Sequence, residues 1–428
     1  MVAIDVRRLR ALVVPIALCL APLEARAQTT PVPVMTVTFR DAIQRAQDLN
    51  PSVAASAAGI LRADALIGQA RAAMLLQVTG NVTSTTLNTG VQFEGVTVTP
   101  QSQTVASISA DMPILAAAAW ARRTQAEDQR SVAELQLAEA KRQIAFAAAD
   151  AYLTIVAQRR VVEGNIRARD TAKAHFDLAT EQERGGSGSR LNALRAQQQY
   201  SADEGLVEQA RLNLYRAQEA LGVLIVAGGP ADASEDPDLS VPAAAPVDLI
   251  TSRSDLRLFA AQERAADRVV RDSSKDWIPT VDAIFQPSTN YPPQFFLPQN
   301  SWRLLLQGNI PIFDSGQRKS VKQQRRSDLD EVHANFAGAI TRAESEVRAA
   351  RESIASGERV LTSARAAADQ AQQVVSITNI SFRAGASTNI EVIDAERVAR
   401  DTDMAVAIAE DQLRRARLEL LNALGRFP

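Results

Sequence analysis

"ISFRAGASTNIEVIDAERVAR" (residues 380–400) sets Arg-Ala-Gly-Ala-Ser-Thr between two stretches whose apolar residues keep helical spacing. A glycine just past one helix and a Ser/Thr pair just before the next are the ordinary stop and start signals. "EQERGGSGSRLNALRAQQQY" (181–200) makes the same reversal in the first half of the chain. Two matching reversals point to an internal duplication, and the flanking helices say what has been duplicated.

Before the second turn, Ile340, Ala343, Val347, Ala350, Ile354, Gly357, Leu361, Ala364, Ala368, Ala371, Val375, Thr378 and Phe382 follow one another in steps of three and four. This is a heptad seam with a single polar member, Thr378. A helix over about 318–383 would be roughly 95 Å long at 1.5 Å per residue. An ordinary globular domain does not hold such a helix, whereas a coiled coil does. After the turn, over 389–425, the seam resumes through Val392, Ala395, Ala399, Val406, Ala409, Leu413, Ala416 and Leu420. The first half answers over 190–222 with Ala193, Ala196, Tyr200, Asp203, Val207, Ala210, Leu214, Ala217 and Leu221. A rougher seam through Ile144, Ala148, Ala151, Ile155, Val162 and Ile166 marks the helix before the first turn, about 118–183. Leu221-Gly222 and Leu424-Gly425 are expected to end the two shorter helices alike.

The duplication reaches upstream. "LNPSV" (49–53) answers "RSDL" (253–256), "MLLQV" (74–78) answers "WIPTV" (277–281), and "ISADMPIL" (108–115) answers "LQGNIPIF" (306–313). The chain is therefore expected as repeats 28–225 and 247–428 joined by a Gly/Pro/Asp-rich linker, 226–246. Within them, 77–87, 104–114, 280–286 and 302–312 alternate in side-chain character and are expected as strands. Trp302, Leu304, Leu306 and Ile310 share one face of the last. Strands of this length, apolar outward and polar inward, suit an outer-membrane barrel, while a soluble hairpin packed on the helices is the plainer reading. Four strands cannot close a barrel without leaving edges in lipid, so a membrane reading requires several chains to share one. Tyr291, Phe295, Phe296 and Trp302 are candidates for an aromatic girdle, and Trp120 and Trp277 lie where strands meet helices.

Residues 1–27 read as a secretory signal: Arg7, Arg8 and Arg10, then the apolar "ALVVPIALCLAPL" (11–23), then Ala25-Arg26-Ala27. The one cysteine, Cys19, falls inside it; Leu18 before it makes lipidation the minor reading, and thiol chemistry is excluded from the exported chain. The 47 Lys/Arg and 49 Asp/Glu are scattered, which argues against nucleic acid. No nucleophile–base spacing, phosphate loop or metal-ligand cluster accompanies the two histidines, His175 and His333, so neither catalysis nor a cofactor or metal is expected.

The opening "VTFRDAIQRAQDLNPSV" (37–53), the "IPIFDSGQRKS" (310–320) and the paired turns together resemble the TolC family of outer-membrane efflux channels, across essentially the whole exported chain. The resemblance implies a mainly α protein with membrane β: a homotrimer whose chains give four strands each to a twelve-stranded β-barrel, continued by a long α-helical coiled-coil tube through the periplasm. It implies a passive exit duct of a tripartite efflux or type I secretion system, its far end docked on a periplasmic adaptor coupled to an inner-membrane pump. By the same resemblance the docking turns are Arg184, Gly185 and Gly186 with Arg383, Ala384 and Gly385. Glu391 and Asp394, one helical step apart, match acidic positions at the pore's narrowest part, with Asn192 and Arg195 equivalent in the first repeat. A lone acidic pair at a helix start also serves simply to offset the helix dipole. Phe382 and Ser387 depart from the family pattern, so the closing contacts are expected to differ; Arg195 is a candidate partner for Glu391 or Asp394. The rival reading is a periplasmic coiled-coil adaptor or scaffold, disfavoured because both halves repeat whole.

Overall fold

The computed structural model describes residues 34–240, 248–293 and 298–427. The signal-like leader, Phe295, Phe296 and part of the linker lie outside them. The chain runs β1 (Met35–Val37), α1 (Phe39–Leu49), α2 (Pro51–Ala72), β2 (Gln77–Thr86), β3 (Val91–Phe93), β4 (Val96–Thr99), β5 (Ser102–Leu115), α3 (Ala117–Arg184) and α4 (Arg190–Leu224). The second half follows with β6 (Ala231–Ala233), α5 (Leu249–Ser252), α6 (Ser254–Asp272), a 3-10 turn (Ser273–Trp277), β7 (Thr280–Tyr291), β8 (Asn300–Asn309), α7 (Gln317–Arg383) and α8 (Asn389–Ala423). Matching helices have 68 and 67 residues, then 35 and 35. The duplication is thus carried in element order and in length.

Each half starts with a broken helix pair. Asn50 ends α1 and caps α2, its Oδ1 accepting from Ser52 N at 2.9 Å, with Pro51 where no N–H is needed. Arg253 makes the corresponding break between α5 and α6 and is held by Asp255 and Glu346, each at 2.7 Å. Long helices then pair as hairpins, α3 with α4 and α7 with α8, through the small-residue seams. Ala193, Ala196, Val207, Ala210 and Leu221 are buried on α4, and Val392, Ala395, Ala399, Ala409 and Leu413 on α8. Alanine lets the helix axes approach closely.

The rough seam of α3 has a physical cause. Its middle packs at once against α1, α4, α8 and the linker, so it buries more than one stripe: Ala145, Ala149, Tyr152, Leu153 and Val156 join Ala148 and Ile155. Tyr152 is fully buried and its hydroxyl is satisfied twice, donating to Glu235 O at 2.9 Å and accepting from Glu235 N at 3.1 Å. That partner belongs to the linker, which also contributes β6 in parallel to β1.

Helix ends differ from the expected pair. Gly425, with φ +66°, does follow the end of α8 at Ala423. Gly222 instead lies inside α4, which continues to Leu224; a Cβ there would stand 2.1 Å from Gly229 O, so glycine is required for the crossing chain.

β2, β5, β7 and β8 form one antiparallel sheet in that order. The expected strand 280–286 continues to Tyr291 through Pro287: β5 pairs Ser107 with Ser288 and Ala110 with Phe285, and the two intervening pairs are missing where Pro287 offers no N–H. The expected strand 302–312 instead ends at Asn309, because Asn309 already faces Thr280, the first residue of β7, and Pro311 follows. The expected loop 88–103 holds a small hairpin, β3–β4, turned by Glu94 and Gly95, both with positive φ.

The pairing registers sort the sheet into two unlike faces. One carries Val78 and Val82, Ile108 and Met112, Phe285, and Trp302, Leu304 and Leu306. These are exposed, Leu306 at 72% and Trp302 at 71%. The other carries Thr79, Asn81, Ser107, Asp111, Asp282, Gln286, Arg303 and Gln307, with Ile284 and Leu305 among its apolar exceptions. No helix of the described residues is long and apolar enough to cross a membrane.

Candidate functional site at the paired hairpin ends

Both turns end a long helix with the same backbone bonds. Ser187 N donates to Gln182 O at 3.0 Å and Ala386 N donates to Ser381 O at 2.8 Å, each spanning five residues. That closure needs a left-handed residue, supplied by Gly186 and Gly385, both at φ +75°. The preceding positions, Gly185 and Ala384, are right-handed at φ −77° and −81°, which is why alanine serves at one of them. Gly188 meets a different need: a Cβ there would lie 2.8 Å from Gln182 Cβ. Arg184 is exposed and pairs only locally with Glu181 at 2.9 Å, and Arg383 makes no ion pair among the described residues.

The shorter helices start from Ser189 and Thr388. Glu391 closes a capping box: its Oε2 accepts from Thr388 N at 2.7 Å. Asp394, one turn on, pairs with Arg397 at 2.9 Å. Both carboxylates are exposed and border the same groove as Val374, Ile377 and Val398. Arg195 pairs with neither within the chain; it is exposed and free of ion pairs among the described residues.

What joins the two hairpins is a buried polar bridge. Asn389 Nδ2 donates to Asn192 O at 3.4 Å, which fixes the amide so that its Oδ1 faces His175 Nε2 at 2.6 Å. The imidazole therefore donates from Nε2, and its other side rests on Phe382 with ring centres 5.5 Å apart. His175 and Asn389 are 5% and 3% exposed, so His175 is a contact between hairpins and not a surface residue. Burial pushes the imidazole below its ordinary value, against a smaller opposing effect of the Asn389 bond. His333, in contrast, is exposed beside Glu263 at 2.6 Å.

A second bridge stands further up. Asp203, inside the α4 seam, accepts from Arg400 at 2.6 Å and from Gln199 at 3.1 Å. Near it Glu396 has one carboxylate oxygen buried without a hydrogen-bond partner. Burial, then the Asp203 charge, raises its carboxyl to about 7. Sequence reasoning missed His175, Asn389, Glu396 and Arg400 as a group. The available signal was Asp203, a carboxylate in an otherwise apolar seam, which demands a partner from another helix.

Comparison with known proteins adds the relatives. Residues 42–225 and 245–426 each match a family model described as outer membrane efflux protein. Over 270 residues the chain is 24% identical to outer membrane protein OprJ of Pseudomonas aeruginosa, an alignment covering 58% of this chain and 54% of that protein. The match thus spans about half the length of that curated relative. A membrane protein of known structure from Pseudomonas aeruginosa is similar with a TM-score of 0.80 at 18% identity, covering 91% of each chain. The CmeC outer membrane channel of Campylobacter jejuni is similar with a TM-score of 0.77 at 13% identity, covering 91% of this chain and 86% of that one. At these identities the structural likeness carries the fold.

Proposed function

The chain belongs to the outer membrane efflux protein family, and from that premise we propose that three copies build one passive duct from the periplasm to the exterior. The four-stranded sheet carries this reading. Its apolar face is exposed, its opposite face is mostly polar, and β2 and β8 leave two unpaired edges. Taking a side chain such as Leu304 or Leu306 out of water is worth roughly 1.5–3 kcal/mol, so such a face calls for a covering. Lipid covers it only once the edges are paired. Because neighbours in the sheet alternate in direction, β8 of one copy runs antiparallel to β2 of the next, and a ring of three closes at twelve strands.

The hairpins then continue the duct. Leu191, Leu194, Ile377, Ile380 and Ile390 are exposed near the tips and suit contact with neighbouring copies. Glu391 and Asp394, with Asn192 and Arg195 beside them in the ring, form the constriction that selects passing solutes by charge. The turns at Arg184–Gly186 and Arg383–Gly385 present small residues on which a periplasmic adaptor seats, and an inner-membrane pump supplies the energy. Native mass spectrometry of the protein extracted by detergent from outer membranes tests the assembly. A three-chain particle that conducts ions in a planar bilayer supports the duct. A single chain found free in the periplasmic fraction overturns it.

A further inference from the structure

At the end of the sheet from which the helices leave, apolar side chains stand uncovered: Leu76, Trp277, Ile278, Ile312 and Phe313, the last two at 90% and 86% exposure. Directly beyond them the long helices begin with cations. α7 opens "QRKSVKQQRR" (317–326), holding Arg318, Lys319, Lys322, Arg325 and Arg326 without one carboxylate. α3 places Trp120, Arg122 and Arg123 in the same position. The nearby acids are already engaged: Asp314 with Arg318 at 3.5 Å, Asp276 with Arg325 at 2.8 Å, Asp272 with Lys275 at 2.9 Å and Glu127 with Arg123 at 3.1 Å. Arg122, Lys319, Lys322 and Arg326 remain without ion pairs among the described residues. Arg318 also lies over the Trp277 ring, 5.2 Å from its centre, so a cation and an indole share one surface.

Cations gathered where a helix dipole is already positive repel it and one another, and among the described residues no acid pairs with Arg122, Lys319, Lys322 or Arg326. The surface is complementary to a layer of anions. We propose that it binds the phosphate groups of anionic phospholipids in the leaflet nearer the helices, an inference that rests on the membrane reading of the sheet. The dimensions agree. Lys319 and Lys322 fall roughly 3 and 8 Å along the helix from Gln317, and a headgroup layer is about 5–7 Å deep beyond the hydrocarbon. Indoles occupy the boundary, and the long cationic chains reach the phosphates beside it. The collar fixes the depth at which the sheet sits, and with it how far the hairpins reach from the membrane.

Native mass spectrometry of the full-length assembly, mixed with phosphatidylglycerol and phosphatidylcholine in equal amounts, tests the assignment. Phosphatidylglycerol should remain bound in preference, and added salt should release it. The variant R122Q/K319Q/K322Q/R326Q should keep the assembly mass and lose retention by roughly fivefold per charge removed. Should that variant not assemble, the charge-preserving K319R/K322R should still hold the lipid, and salt release of the wild type stands by itself. Equal retention of the two lipids, or retention of inorganic phosphate as strong as that of phosphatidylglycerol, would overturn the proposal while leaving the duct intact. An assembly that takes up neither lipid, with its sheet stable in buffer alone, would overturn the membrane reading itself.

Discussion

His175 on α3 donates a 2.6 Å hydrogen bond to Asn389, the first residue of α8, across 214 positions of sequence. Through Asn389 the bond continues to Asn192 at the start of α4, so one buried amide ties both turns together. An unsatisfied buried donor or acceptor costs about 1–3 kcal/mol. Asn389→Ala orphans the buried His175 N–H and removes the link to Asn192, and the hairpin ends should then separate more readily. Amide hydrogen exchange at 186–192 and 385–391 should quicken, while exchange in the Tyr152 core stays as before. Unchanged rates at the tips would show that the bridge carries no energy.

Glu396 makes the same interface sensitive to acidity. Burial, then Asp203, raises its carboxyl from 4.5 to about 7, so the folded chain holds this proton more tightly than the unfolded one. Stability is therefore gained as pH falls from about 7 towards 4.5, and above 7 the ionised group bears its full burial cost. Gln199 and Asp203 on α4, Gln372 on α7, and Arg397, Arg400 and Asp403 on α8 share its surroundings. His175 works in the other sense: its lowered value makes the neutral form favourable above 6.5, and that benefit fades as pH falls below 6.5. Glu396→Gln should raise the melting temperature at pH 8 and leave it nearly unchanged at pH 5. An equal shift at both pH values would remove Glu396 from the account.

The glycines of the turns should tolerate alanine unequally. Gly385→Ala places a Cβ in a left-handed conformation, which costs roughly 1–2 kcal/mol. Gly185→Ala should be near neutral, since Ala384 already occupies the equivalent right-handed position. Thermal melts of the two variants check this; equal losses would mean that the backbone angles are not what selects glycine.

Much of the fold was legible because its determinants are periodic. Heptad seams named the buried residues of α4 and α8 nearly one by one, and alternation in the strands separated Leu304 and Leu306 from Arg303 and Gln307. What escaped reading depends on chain crossings. Gly222 looked like a helix end because glycine commonly sits there, yet it is needed for the approach of Gly229 O, which local sequence does not encode. Tyr152 looked like one more seam residue until the linker supplied Glu235. At the site, Glu391 and Asp394 were visible as an acidic pair, whereas the partners of His175 and Asp203 come from the other repeat.

Glu391 caps α8, and the charge proposed for it in the constriction can be separated from that role by one substitution. Its carboxylate closes the capping box with Thr388, and glutamine keeps that geometry without the charge. Glu391→Gln with Asp394→Asn should therefore assemble normally and lose cation preference, seen as a reversal potential moving towards zero in a planar bilayer under a KCl gradient. A reversal potential equal to that of the wild type would take both residues out of the constriction.

Leu306 and Gln307 are adjacent in β8 and point to opposite faces, opposite Ala283 and Asp282 respectively. If the sheet lay in water, both positions would be exposed and an arginine at either would be tolerated. In lipid they part company. An arginine facing the bilayer midplane costs roughly 2–4 kcal/mol, while one facing a water-filled lumen costs little. Leu306→Arg should sharply reduce the three-chain assembly recovered from outer membranes, and Gln307→Arg should leave recovery intact and alter only conductance. Tolerance of both would mean that Trp302, Leu304 and Leu306 are covered by something other than lipid, since an exposed apolar face of this extent does not persist uncovered in water.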